Sequence, residues 1–431
     1  MEQYHATARQ PIVTGQQIGL LGGPLYTTYK VLGAIRLTQE IGGRAIYWLE
    51  TNDADFQEIN HLDYVDAAGE LRTLAWDLDS HGYSCGFLEI DDALAAMVSQ
   101  FFDALRPSEF TPALKALALR CYAPGRTLGE ASRLLAQELF GKFGIEVFDP
   151  SNKEFKAFIK PILLREAERT APGEQCNLFC MQGKQRAAVF KTAAGGYGLR
   201  DGTPVNLAEY DLVPNVQTRN VCQDAYFQTH SYIAGPGEVT YIRELDPAYE
   251  FHGVRKAAVV PRMSVTLVEP RVTRALQKYN LALQEVLTIE KPELLKTVLK
   301  AHTGFDYRVL TQQAAQLTRE YLDKLKASGI NLGKTERTLS QTLAQTLKEA
   351  LGEQRAQEKA KTDNLLKTVG NLSDLLRPFG KRQERVFNLF YYMNFYGGFA
   401  FIDWLYERYD PALEILEILP EHPSTPLRMT A

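Results

Sequence analysis

Four carboxylates crowd one short stretch of this chain. Glu50, Asp53, Asp55 and Glu58 fall within the run ETNDADFQEINH, and His61 closes it. Like charges at that density repel unless a cation offsets them: a metal, a basic side chain or the ammonium group of a substrate. The same groups could accept a proton from an attacking amine. The plainer role is a solvated acidic loop in which Asn52 and Asp53 cap the next helix.

A second stretch, TGQQIGLLGGPLYTTYK, carries amides and glycines in place of acids. Thr14, Gln16 and Gln17 offer hydroxyl and amide donors. Gly19, Gly22 and Gly23 would let a ligand approach the backbone. Pro24, Tyr26 and Thr27 open a helix whose N-terminus favours an anion, a phosphate or a substrate carboxylate. The spacing is neither a Walker loop nor G-x-G-x-x-G, and tight turning with helix–sheet packing would also account for the glycines. Lys30 lies a turn or more further on, too far to reach an anion held at the helix start.

A third stretch, AGPGEVTY, places Gly235, Gly237 and Glu238 at another helix start. Arg219, Gln223 and Asp224 lie upstream in RNVCQD, and Arg262 downstream in PRMS. Arg219 and Arg262 would complement phosphate or carboxylate groups. Taken singly, Glu238 also fits a helix N-terminal charge and Arg262 a surface ion pair. Cys222 has no histidine at a telling spacing and reads as a buried, inert thiol. The Cys176–Cys180 pair lacks a second pair, so no zinc site is expected.

For these stretches to act together, their elements must be neighbours. PIVTG reads as a strand, residues 24–41 as a helix stopped by Gly42-Gly43, and AIYWLE as a second strand. That is a βαβ unit, which places the first two loops side by side at strand ends. Helices at 128–142 and 154–169, and strands in GIEVFDP, HSYIAG and KAAVVP, continue the alternation. The fold class is therefore α/β, a Rossmann-like doubly wound parallel sheet. Residues 176–212 read as inserted β-hairpins. The expected organisation is a core over 1–264, a helical antiparallel coiled-coil arm over 265–377, and C-terminal helices over 378–431. The aromatic set in KRQERVFNLFYYMNFYGGFAFIDWL would dock those helices on the core, with Gln383, Glu384 and Arg385 as pins.

Composition narrows the classes. The chain has 431 residues, a net charge of −4 and 45% hydrophobic residues, which argues against a nucleic-acid binder and for an ordinary globular protein. Its start, Met1-Glu2-Gln3-Tyr4-His5, leads into no apolar core, and no stretch is long enough to span a membrane. Five scattered cysteines fit reduced thiols, so a cytoplasmic location is expected.

The stretches VTGQQIGLLGGPLYTTYK, WLETNDADFQEINH, IAGPGEVTY, VVPRMSVTLVE and RQERVFNLFYYMNFYGGFAFID resemble, in order, signature blocks of the bacillithiol biosynthesis cysteine-adding enzyme family, BshC. The resemblance implies a Rossmann-like core with an inserted connecting domain and a coiled-coil domain. It implies a ligase joining the carboxyl of cysteine to the amine of glucosaminyl malate, with ATP or another nucleotide as activator and no metal beyond a magnesium ion carried with it. On that reading Asp53, Asp55 or Glu58 orients the cysteine ammonium or takes a proton from the amine. Thr14, Gln16, Gln17, Gly19, Gly22, Gly23, Pro24, Tyr26, Thr27, Glu50, Asn52, His61, Arg219, Gln223, Asp224, Gly235, Gly237, Glu238 and Arg262 wall the pocket on that reading. A homodimer through the coiled coil is the expected assembly. Asn52 and Ala54 depart from a GEDHDF-like run, and that departure falls in the expected pocket. Two alternatives stay open: an altered relative that binds a small thiol or nucleotide without turnover, and a nucleotidyltransferase with another substrate.

Overall fold

The computed structural model describes residues 10–418, except 303–306 and 330–332. The chain divides into two compact units, residues 1–268 with 382–431 and residues 269–381.

The first unit is built on a parallel sheet. Strand β1 (Pro11–Gln17) leads through a short turn into helix α1 (Leu25–Ile41) and strand β2 (Arg44–Glu50). Three further strands complete it: β3 (Glu146–Phe148), β4 (Ser231–Ala234) and β5 (Ala258–Pro261). The order is β5-β4-β1-β2-β3, and every pair is parallel. Ile12, Val13, Ile46, Trp48, Tyr232 and Ile233 are buried, as expected of strands covered on both faces. Helix α1 seats Leu25, Tyr29, Leu32 and Ile35 in the core and ends at Gly42, which is left-handed and donates its N–H to Thr38 O.

Helix α2 (Leu128–Phe140) starts behind a reciprocal capping box between Thr127 and Glu130. Helix α3 (Lys153–Arg169) buries Phe155, Ile159 and Leu163 against the inserted sheet. That sheet is four-stranded and antiparallel, in the order Tyr197–Leu199, Gln185–Lys191, Gln175–Gln182, Leu212–Pro214. Its inner face carries Cys176, Leu178, Cys180 and Val189, all fully buried. All five cysteines are free and buried. Burial pushes the Cys222 thiol well above its ordinary range, which suits an inert thiol.

The C-terminal segment returns to this unit. Phe387 stacks on Tyr391 at 5.1 Å, and Phe390 meets Phe102 edge-on at 5.7 Å. Gln383 donates to Leu267 O and accepts from Leu267 N, at 3.0 and 2.8 Å. The strand Ile415–Glu417 pairs in parallel with Thr266–Val268.

The second unit is helical. Val272, Leu276, Val286, Leu294 and Val298 are buried, as are Leu365, Val369, Leu372 and Leu376 on the long helix Gly333–Leu376. The helix Tyr307–Ala327 packs along that long helix, with Leu322 buried but Leu317 exposed. Among the described residues no helix is long and apolar enough to cross a membrane.

Candidate functional site

The chain leaves β1 toward β2 and β3 on one side and later places β4 and β5 on the other. A parallel sheet opens a crevice at such a reversal, beyond the carboxyl ends of the strands. Here the crevice is a cavity of about 630 Å³, walled by the ends of β1 and β2, the acidic loop, the inserted sheet, and helices α4 (Val216–Phe227) and α5 (Pro236–Arg243).

Its floor is a network centred on Lys30. The buried ammonium donates to Gly15 O at 2.8 Å and to Gln16 Oε1 at 3.0 Å, and lies 2.5 Å from Glu238 Oε2. Glu238 also accepts from Tyr232 Oη and from the Gly235 N–H. Burial lowers the Lys30 pKa, and Glu238 opposes that shift. Burial alone would raise Glu238, but Lys30, the Gly235 N–H and Arg219 together outweigh it and hold the carboxyl below its ordinary range. Lys30 therefore does reach the pocket wall, contrary to the expectation from its place along α1. The long side chain runs back toward the helix N-terminus, as side chains on helices do.

Arg219 stands behind Gly15. It donates to Gln223, Asn220 and Tyr232 at 3.0–3.2 Å, and its guanidinium lies over the Trp48 and Tyr232 rings. A methyl group on Gly15 would come within 3.1 Å of Arg219 Nη1, so a side chain there would press on the guanidinium.

The acidic loop splits into separate roles. Glu50 is half-buried at the end of β2 and accepts from Trp48 Nε1 at 2.8 Å and from the Asn52 N–H at 3.1 Å. Burial raises its pKa, while Trp48 and Arg219 oppose the rise. Asp53 accepts from Arg186 of the inserted sheet at 2.6 Å, from the Ala54 N–H at 2.8 Å and from Gln17. Glu58 lines the cavity mouth. Asp55 does not: it stands exposed ahead of the short helix Phe56–Ile59 and makes no side-chain cap bond. His61 is exposed beside Asn60 and Asp63, away from the cavity.

Of the residues expected to wall the pocket, Gln16, Gln17, Tyr26, Glu50, Arg219, Gly235, Gly237, Glu238 and Arg262 do line the cavity. The others do not, each for a local reason. Thr14 is buried, with its hydroxyl on Ile233 O, and ties β1 to β4. Gly19 and Gly23 meet inside the turn, where a methyl on Gly19 would lie 2.7 Å from Gly23 Cα. Gly22 and Gly23 take left-handed φ values of 86° and 72°, so these glycines serve turning. Pro24 bridges to Asn388, and the Leu25 N–H is taken by Phe387 O, which seals the start of α1 against an anion. Thr27 is buried beneath the turn. Asn52 is buried, and Ala54 is off the cavity, so the departure from the family run falls beside the pocket rather than in it. Gln223 and Asp224 form a layer behind Arg219. Asp224 accepts from Tyr249 Oη at 2.6 Å, the Ala257 N–H and Gln223.

Arg262 touches the cavity, but the carboxylate it holds is the protein's own. It forks onto both oxygens of Glu384 at 2.7 and 2.9 Å, and both residues are buried. Gly15, Lys30, Trp48, Arg186, Tyr241 and Arg385 join the lining without having been singled out for it. Arg186 gave no signal, since it sits in an ordinary alternating strand of a distant insertion.

The family model described as Bacillithiol biosynthesis BshC, N-terminal Rossmann-like domain, matches residues 2–175 and 170–263. The model for the BshC C-terminal coiled-coil domain matches residues 265–419. This chain belongs to the BshC family. Relatives named "Putative cysteine ligase BshC" include one from Salinibacter ruber, 29% identical over 90% of this chain and 80% of the relative. Another, from Chlorobaculum tepidum, is 28% identical over 92% and 80%. A third, from Carboxydothermus hydrogenoformans, is 29% identical over 91% and 81%. Among solved structures, a tryptophanyl-tRNA synthetase from Plasmodium falciparum is 11% identical, with a TM-score of 0.28 over 88% of this chain and 85% of that one. That likeness is too slight to bear on the chemistry. The BshC assignment agrees with the Rossmann-like sheet and with the helical second unit.

Proposed function

We propose that this BshC-family protein joins the carboxyl of cysteine to the amine of glucosaminyl malate as an amide. The relatives' name supports the class of reaction. The observation that carries the reading is inside the cavity. Glu50, a half-buried carboxylate whose pKa desolvation raises, shares that cavity with Arg219, a guanidinium that makes no ion pair among the described residues. A base with a raised pKa suits an amine nucleophile, and a guanidinium without a carboxylate partner suits an anionic electrophile.

Amide formation from a free carboxylate is unfavourable in water, and a nucleoside triphosphate, when bound, would supply the phosphoryl or nucleotidyl group that activates the cysteine carboxyl. The donor set fits such a group. Arg219 matches a phosphate, and Phe179, Val213, Pro214, Val216 and Tyr241 offer an apolar wall to a base. The chain's own residues do the rest. Arg219 holds the acyl-bearing anion. Lys30, with acceptors on three sides, fixes Gly15, Gln16 and Glu238 and so keeps the floor rigid. Glu50 accepts the N–H proton of the attacking amine through its carboxylate oxygen. Asp53 stays bound to Arg186 and Gln17 and joins the inserted sheet to the acidic loop.

The test is product analysis by mass spectrometry with cysteine, glucosaminyl malate and ATP. The expected product has the mass of both substrates less one water. Folded protein that yields no cysteine-dependent adduct would sink the assignment.

A further inference from the structure

The charges around the cavity pair off unevenly. Lys30 meets Glu238 at 2.5 Å, Arg186 meets Asp53 at 2.6 Å, and Arg262 meets Glu384 at 2.7 Å. Two charges at the mouth are left over. Arg385 is exposed and makes no ion pair among the described residues; its guanidinium lies 5.8 Å from the centre of the Tyr26 ring. Glu58, from the acidic loop, is exposed, lines the same cavity and likewise has no ion-pair partner among the described residues. Both act on the Tyr26 hydroxyl, Arg385 favouring its ionised form and Glu58 opposing it, against the larger effect of burial. All three side chains line one cavity, and no ion pair joins Glu58 to Arg385 among the described residues. The Arg262 guanidinium, 5.5 Å from the centre of the same ring, is already committed to Glu384. The ring is itself held, since Gln16 Nε2 donates to Tyr26 Oη at 3.3 Å.

Two opposite, unpaired charges lining one cavity beside an aromatic ring are complementary to a ligand that carries both signs. An ammonium group suits Glu58, a carboxylate suits the planar fork of Arg385, and the carbon skeleton between them lies on Tyr26. We infer that Glu58, Tyr26 and Arg385 form a clamp for a zwitterion bearing a primary ammonium and a carboxylate. This rests on the ligase reading above and deepens it, because both of its substrates are of that class: cysteine, and an amino sugar bearing carboxylates. The clamp binds whole substrate at the mouth. It is distinct from the inner Glu50 and Arg219, which face the reacting groups.

Calorimetry on the full chain tests it. The first series is cysteine with two truncated analogues, cysteamine lacking the carboxylate and 3-mercaptopropionate lacking the ammonium. The second is glucosaminyl malate with glucosamine. Arg385→Gln is expected to weaken the zwitterion by about tenfold or more and to leave cysteamine or glucosamine unchanged. Glu58→Gln is expected to weaken cysteine to a similar extent and to leave 3-mercaptopropionate unchanged. Whichever series shows this pattern identifies the zwitterion held. Among the described residues neither side chain has a hydrogen-bond or ion-pair partner to lose, so both variants should melt as the wild type does, which circular dichroism checks. Wild-type protein that binds neither zwitterion, or variants that weaken the truncated analogues as much as the zwitterions, would overturn the clamp. The ligase reading fails separately. Selective zwitterion binding without product leaves the clamp standing, and product formation with unaltered binding in both variants removes the clamp alone.

Discussion

Glu50 and Lys30 show how burial turns ordinary side chains into site chemistry. Each loses solvation of its charged form, so the carboxyl is pushed up and the ammonium down. Lys30 keeps a carboxylate partner, whereas Glu50 has only the donors Trp48 Nε1 and Asn52 N. The folded-state pKa of Glu50 therefore stands above its unfolded value. Its protonated form favours folding below the unfolded pKa, and that contribution is lost as pH rises through the folded pKa. Glu50→Gln cannot ionise. Its melting temperature relative to wild type should therefore climb as pH is raised from about 5 to about 8, read by calorimetry. The same variant should lose about 10²-fold or more in kcat, the range expected for removing a general base. A flat melting difference across that pH range would show that Glu50 is not carrying a buried charge. At this scale the sequence revealed residue types but not environments. Glu50, Asp53, Asp55 and Glu58 look alike along the chain, yet the fold half-buries the first, pairs the second, exposes the third away from the cavity and sets the fourth at its mouth.

Among the elements, the βαβ unit was legible because periodicity survives without tertiary information. The β-branched run of β1, the helical spacing of α1 and the glycine stop at Gly42 are all local signals. The glycine run before α1 was ambiguous for the same reason. A tight turn and an anion cradle demand the same residues. Only the closing of Phe387 O onto the Leu25 N–H shows that the helix start is sealed. The segment that seals it is held by the fork of Arg262 onto Glu384, a buried charge pair. Glu384→Ala would leave Arg262 buried and unpaired, at an expected cost of about 3–5 kcal/mol in urea or thermal unfolding. A loss below about 1 kcal/mol would mean that Arg262 finds water or another acceptor in place of Glu384.

For the molecule as a whole, the chain leaves the first unit after Val268 and rejoins it at Arg382. Those two points meet within that unit, because Gln383 hydrogen-bonds both backbone groups of Leu267. The first unit also has its own core and its own cavity. Replacing residues 269–381 by a short glycine–serine linker should therefore give a protein that melts cooperatively and keeps the near-ultraviolet dichroism of its packed aromatics. Loss of that signal would show that the first unit depends on the second to fold. By itself the sequence determined the element types, the parallel sheet they require, and the family, through blocks that survive in order. Hydrophobic periodicity and turn chemistry act between near neighbours, so they can be read along a line. Tertiary structure alone decided which charges pair and which are left for a ligand. Arg186 reaches Asp53 across 133 positions and Arg262 reaches Glu384 across 122, and those separations leave no trace in local pattern.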